Sequence, residues 1–319
     1  MSAPTGTVDR PSAGQLDLEQ FRELYRQVST WNSGGLRPGR GGLDQLTPAR
    51  VAAAATEVRT GRRVSLGLPL DLAAAPDNPA PPVHHMTGLA DVPVGSGSLR
   101  FATDYIGMNV HGDAHTHVDA LCHVAYDGLL YDGVPAATLT SAGAGALAID
   151  LAGAGLVGRG VLLDIPRARG APWLEPGDHV TTEDLQQAET AQDVRVGPGD
   201  ILCVRVGHRR RRNRMGAWDV AKSRAGLHPT AMRFLAERRV AVLGSDGNND
   251  AAPSAVPDVP YPVHVLAVNA IGLHLVDYLH LEDLAETCQE LRRWSFFCVI
   301  APLRLVAGTG SPVNPIAVM

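Results

Sequence analysis

Aromatic residues are scarce in this 319-residue chain, at 5%, and cysteines scarcer still, at four. Cys122, Cys203, Cys288 and Cys298 stand far apart with no Cys-x-x-Cys pair. That spacing excludes a disulfide scaffold and fits a reduced, cytoplasmic protein. Long apolar runs are also missing: the longest are rich in Ala and Gly and break at a charge or a proline within about a dozen residues, too short to cross a membrane. The first ten residues hold none of the apolar segment that a secretory signal requires. Positive charge is not in excess, with 28 Lys and Arg against 33 Asp and Glu and a net charge of −5, which argues against general nucleic-acid binding. The one basic run, His208-Arg-Arg-Arg-Arg-Asn-Arg214, lacks interleaved aromatics. It reads as a solvated loop, with contact between one arginine and an anionic substrate as the alternative. The remainder, 45% hydrophobic and 19% charged, is an ordinary globular composition long enough for a sizeable core.

Histidine, by contrast, is concentrated. His111-Gly-Asp-Ala-His-Thr-His-Val-Asp-Ala-Leu-Cys-His123 holds His111, His115, His117 and His123 together with Asp113 and Asp119, while the other eight histidines are spread along the chain. Imidazole with carboxylate is a borderline-hard donor set suited to Zn, Mn or Fe. If residues 116–123 are extended, His117, Asp119 and His123 project to one side, and His111, Asp113 and His115 likewise share a face. Cys122 then points away from His123 and reads as a packing residue.

Around this segment the sequence alternates helices and buried strands. Residues 1–14, rich in Pro, Gly and Ser, read as a disordered tail before a single domain over 15–319. Apolar spacing over 16–28 predicts an amphipathic helix, and Thr47-Pro48 starts another with an N-cap and a proline in its first turn. Strands are expected at 64–70, 160–165, 201–206 and 239–245, at 100–108 leading into the histidine segment, and as a pair over 294–306. Residues 181–189 and 229–238 read as helices. This is the pattern of an α/β protein. The glycine-rich loop 34–42 is either a cover for a site or a plain connector. Of His84 and His85, at most one can face a site. Asp246, at the end of a buried strand, is a candidate support for the site. Loops 34–42, 72–99 and 208–218 are expected to line a pocket, with Trp31, Trp173, Trp218 and Tyr105 as candidate aromatic walls.

Thr116-His-Val-Asp-Ala-Leu-Cys-His123 resembles the His-x-Gly-Thr-His-x-Asp-x-Pro-x-His signature of the metal-dependent cyclase superfamily, which includes bacterial kynurenine formamidase and isatin hydrolase. Thr116, His117, Asp119 and His123 match position by position. Asp113 stands at the first His of the signature, His115 at its Gly and Leu121 at its Pro. The first ligand is therefore Asp113 itself or, across a bulge, His111 or His115, and His111 is preferred because its His-Gly pair suits a turn. Arg159-Gly-Val-Leu-Leu-Asp, Pro198-Gly-Asp, Leu243-Gly-Ser-Asp246 and Pro262-Val-His264 follow in the family's order.

The resemblance implies a swivelling β/β/α fold, a central mixed sheet or partial barrel with flanking helices. It implies a divalent metal, Zn or Mn, held by His111, His117, Asp119 and His123, with proton shuttling as the other role for His123. His264 would assist the tetrahedral intermediate or protonate the leaving group, and Asp277 would fix its tautomer. Asp277 stands where formamidase-like members carry Glu, which leaves one or two metals open. Gly308-Thr-Gly-Ser-Pro resembles a family loop that returns towards the site. The implied activity is hydrolysis of a small-molecule amide, formamide, cyclic imide or lactone. The alternatives are a cyclase or dehydratase and a non-catalytic, metal-stabilised binding protein. A homodimer or larger homo-oligomer is also implied, with a small-molecule substrate and neither nucleic acid nor membrane as partner.

Overall fold

In the computed structural model, which describes residues 14–31 and 36–319, nine strands join in one sheet. They are β1 (Arg63–Ser65), β2 (His117–Asp119), β3 (Leu156–Asp164), β4 (Ile201–Arg205), β5 (Val242–Ser245), β6 (His274–Asp277), β7 (Ser295–Ile300), β8 (Gly310–Pro312) and β9 (Ile316–Val318). Their order across the sheet is β1-β9-β7-β3-β4-β5-β6-β2-β8. β3 to β6 are parallel, and the strands on either side pair antiparallel. The result is a mixed α/β fold whose sheet curls into a half-barrel flanked by helices, as the resemblance implied.

The parallel strands occupy the middle, where their mainly apolar residues are covered on both faces. Every residue of β4, β5 and β6 is buried, as covering helices on a parallel sheet require. Those helices include α1 (Leu18–Val28), α2 (Pro48–Ala54), α3 (Thr182–Gln192), α4 (His208–Met215), α5 (Ala231–Arg238), α6 (Pro262–His264, widening into π-helical turns over Val265–Ile271) and α7 (Glu282–Leu291). The capping signals hold: Asp17 forms a capping box with Gln20, Thr47 accepts from Arg50 N ahead of Pro48, and Thr181 forms a capping box with Asp184. Gly160 is required on β3, because a Cβ there would lie 2.1 Å from the Phe296 ring on the neighbouring strand.

Several expectations are corrected. The basic run is not a loop but α4, and three of its five arginines are engaged by the protein's own carboxylates. Arg210 pairs with Glu282 at 2.7 Å, Arg211 with Glu175 at 2.8 Å, and Arg212 with Asp77 at 2.5 Å. The strand near 100–108 forms as Ala102–Gly107, but it pairs with Val83–Leu89 in an exposed hairpin outside the main sheet. That hairpin carries His84, which lies 2.9 Å from Asp104 Oδ2, and His85, which packs on Tyr105. The strand pair over 294–306 reduces to β7 alone, with an irregular segment after it. In the glycine loop, Gly42 N donates to Gly272 O at 2.8 Å, and a Cβ on Gly41 would lie 2.1 Å from that oxygen, so the loop is a packing connector. Gly34 and Gly35, and the tail expected over 1–14 apart from Gly14, lie outside the described residues.

One buried histidine makes stability depend on pH. His208, at the start of α4 and packed on the Trp218 ring, is pushed down to about 4 by burial. Below the ordinary histidine pKa near 6.5 the unfolded chain takes up a proton that the folded chain refuses, so stability falls as pH drops from about 6.5 towards 4. The full contribution is roughly 3 kcal/mol. Chemical denaturation of the parent and His208→Gln across this range checks it, and the variant is expected to show a shallower decline.

Candidate metal centre

β2 is only three residues long, yet it delivers two donors. His117 and Asp119, two apart on an extended strand, share a face, and both are buried. The strand is held on one side by β6, where Asp277 pairs with His117, and on the other by β8. His117 Nδ1 donates to His115 O at 3.1 Å, which turns Nε2 inward to 3.7 Å from Asp119 Oδ1 and 3.9 Å from Asp277 Oδ2. Such a backbone acceptor fixes a ligating imidazole in orientation and tautomer.

The three candidates for a first ligand separate clearly. His111 Nδ1 lies 2.9 Å from Asp119 Oδ1, and its Nε2 lies 2.9 Å from Thr309 Oγ1. Thr309 belongs to the loop expected to return towards the site, and its carbonyl also accepts from Ala120 N. His115 is buried and turned away, donating from Nε2 to Val110 O. Asp113 lines the cavity but accepts from Tyr278 Oη at 2.8 Å.

The strand does not continue to His123. It ends at Asp119, and a turn closed by His123 N donating to Ala120 O at 3.0 Å follows, so the face-sharing expected of His123 does not hold. His123 still lines the cavity, with its ring stacked on His111 at 3.7 Å between centroids. Burial pushes it down to about 4, so it is neutral at neutral pH. Cys122 packs beneath, pushed up to about 11 by burial.

His264 enters from α6, whose first turn is capped from outside. Asp250 accepts from Val263 N, from His264 N and, at 2.5 Å, from His264 Nδ1. Asp250 therefore fixes the tautomer of His264, a role assigned from the sequence to Asp277. Asp277 lies on the other side of the ring, with Oδ2 3.4 Å from His264 Nε2, and it is itself held by Asn248 and Asn249. Burial alone would lower the pKa of His264, but Asp250 and Asp277 outweigh it and raise it well above the ordinary value.

Two groups of donors converge here: His111, His117 and Asp119, and Asp119, His264 and Asp277. Asp119 belongs to both. Burial would raise its carboxyl, but the hydrogen bond with His111 and the surrounding histidines hold it well below the usual carboxylate range. Its Oδ2 is buried with no hydrogen-bond partner among the described residues, the nearest cationic group being His264 Nε2 at 3.6 Å. A buried carboxylate oxygen left bare costs free energy unless a cation or a proton donor meets it. An N,N,O donor set around such an atom fits a divalent metal.

Asp250, Thr309 and the Asn248-Asn249 pair are the residues that sequence reasoning missed. Asp246, expected to support the site, is engaged elsewhere, accepting from the backbone N–H groups of Val206, Gly207 and His208. The cavity above the donors, about 570 Å³, is walled by residues 124–126, 258–261 and 265 and not by the loops expected. None of Trp31, Trp173, Trp218 or Tyr105 lines it; Tyr126 and Tyr261 do. Thr309→Val is expected to weaken metal binding about tenfold by releasing the His111 ring, with little change in fold. Competition against a chelating dye measures that loss.

The family model named Cyclase matches residues 46–249. A crystal structure described as a novel cyclase superposes with a TM-score of 0.80 at 32% identity, covering 92% of this chain and 99% of that one. The isatin hydrolase of Roseibium aggregatum is 26% identical over 147 residues, which span 44% of this chain and 53% of that protein, about half its length. Isatin hydrolase A from Ralstonia solanacearum shares the fold, with a TM-score of 0.56 at 22% identity over 85% of this chain and 97% of that one.

Proposed function

The chain belongs to the cyclase family, and on that premise we propose that it is a metal-dependent hydrolase of a small-molecule amide, formamide, cyclic imide or lactone. The observation that carries this reading is the buried Asp119 Oδ2, without a hydrogen bond among the described residues and set among imidazoles at the floor of an open cavity. His111, His117 and Asp119 would hold a divalent cation, Zn or Mn, which supplies Lewis acidity towards a substrate carbonyl and makes a water more acidic.

The chain's own groups divide the proton work. His264 is charged and fixed at Nδ1 by Asp250, so its Nε2–H is the available donor for a leaving amine or alkoxide. His123 is neutral and faces the same cavity, which suits it to accept a proton. Two imidazoles whose environments push their pKa values apart give an acid and a base in one site. Asp277, held by two asparagines, keeps His264 charged and orients its Nε2–H; a second cation on Asp119, His264 and Asp277 would instead need His264 Nε2 unprotonated and would replace that donor role.

A homo-oligomer is part of this reading. It is supported by the exposed hairpin, where Leu89, Phe101 and Ile106 stand more than half exposed. Light scattering measures it.

The hydrolase reading is tested by incubating protein loaded with Zn or Mn with aryl formamides, cyclic imides and lactones, with and without chelator. Hydrolysis that chelation abolishes and metal restores is expected. Retained metal with no turnover of any member would leave a metal-stabilised binding protein instead.

A further inference from the structure

We infer that the cavity favours substrates whose end remote from the reacting carbonyl carries an ammonium, tolerates an uncharged end and disfavours a carboxylate there, with Asp258 setting that preference. The inference rests on the hydrolase reading above and adds the charge class of the substrate.

The cavity has a gradient of charge from floor to rim. Its floor gathers His111, His117, His123 and His264 with Asp119 and Asp277. This is where an electron-rich carbonyl belongs and where negative charge would develop. Its walls are the apolar and aromatic side chains of Val124, Tyr126, Val259, Pro260 and Tyr261, which suit a ring. No Lys or Arg lines it among the described residues. One guanidinium comes close without being available: Arg224 lies 5.1 Å from the Tyr261 ring centroid, but it is 3% exposed and donates to Asp250 O and Val220 O.

Asp258 is different. It lines the cavity, is solvent-exposed, and has neither an ion pair nor a hydrogen bond among the described residues. In a cleft with apolar walls an unpaired carboxylate at the rim attracts a cation and repels an anion; no Lys or Arg in the lining offsets that repulsion, and the positive charge of the floor acts on the reacting end of the substrate.

The test uses metal-loaded protein and three benzohydroxamates that share a metal-binding head and differ only in the para substituent: methyl, aminomethyl or carboxymethyl. Calorimetry at pH 7 is expected to rank aminomethyl over methyl over carboxymethyl, with about 10-fold to 100-fold between the extremes at low salt. Asp258→Asn, at an exposed position, is expected to compress that spread to about threefold and to leave the methyl compound unchanged. A carboxymethyl compound that binds as well as the methyl one would overturn the inference while leaving the metal reading standing. A spread that survives in Asp258→Asn would remove Asp258 as its cause. No binding by any of the three would overturn the metal reading, and the inference with it.

Discussion

Asp119→Asn is expected to leave a folded protein that retains no divalent metal and loses at least about 10³-fold in kcat/KM. The change preserves volume at a fully packed position, so far-ultraviolet circular dichroism should be unaltered. What disappears is the one carboxylate that belongs to both donor groups. An amide oxygen at Asp119 could still accept from His111, but it would bring no charge to the cation, and the bare Oδ2 position would become either a neutral oxygen or a donor. Elemental analysis after purification without chelator or metal-affinity resin, beside the parent, reads the outcome directly. Stoichiometric metal in the variant would sink the assignment of Asp119 as a ligand. One equivalent in the parent would fit His111, His117 and Asp119 alone; two would bring His264 and Asp277 in as ligands.

Asp250→Asn is expected to act on the other half of the site. The parent carboxylate accepts three hydrogen bonds, from Val263 N, His264 N and His264 Nδ1. An asparagine offers one oxygen and one donor nitrogen, so in either orientation a donor faces a donor. The loss of a satisfied buried acceptor costs about 1–3 kcal/mol of stability. The imidazole also loses its anionic partner. Its pKa falls, and because the proposed step needs the protonated form, the basic limb of the pH–rate profile moves to lower pH. A drop in kcat of about 10²-fold with KM nearly unchanged is expected, with metal at His111, His117 and Asp119 retained. A purely structural role would lower stability and leave the pH profile in place, so the profile decides between the two.

The contrast between Asp246 and Asp250 shows what a sequence can reveal here and what it cannot. Both acids follow the same buried strand, and the strand end made Asp246 the natural candidate. Its carboxylate is instead engaged by the backbone of residues 206–208, a neighbour reached only through the parallel pairing of β4 and β5. Asp250 caps a helix turn that begins at Pro262, and a cap supplied from so far upstream leaves no local pattern to read. His117 and Asp119 were legible because a spacing of two on any extended segment is enough to bring them together. His123 required the extension to continue through residues 120–123, and it fails there because His123 N turns back to Ala120 O while Cys122 N bonds to Leu147 O, a partner far along the chain. The parallel core was legible for the same local reason, since near-continuous apolar runs need no partner to declare burial. The cavity wall was not, because Tyr126 and Tyr261 come to one cavity only after the fold is made, while the tryptophans pack elsewhere: Trp31 on Tyr25 and Trp218 on His208.

The placement of β2 also governs when the site can exist during synthesis. This strand has no sequence neighbour beside it in the sheet: one edge waits for β6 and the other for β8, made from residues 274–277 and 310–312. An emerging chain therefore carries His117 and Asp119 on an unpaired strand until nearly all the described residues have left the ribosome. Such late, long-range closure slows folding and exposes partly made chains to aggregation. Acquisition of the proposed cation would then be a timestamp for completed folding, and truncation within the last strands would disarm a site whose donors all lie upstream of it.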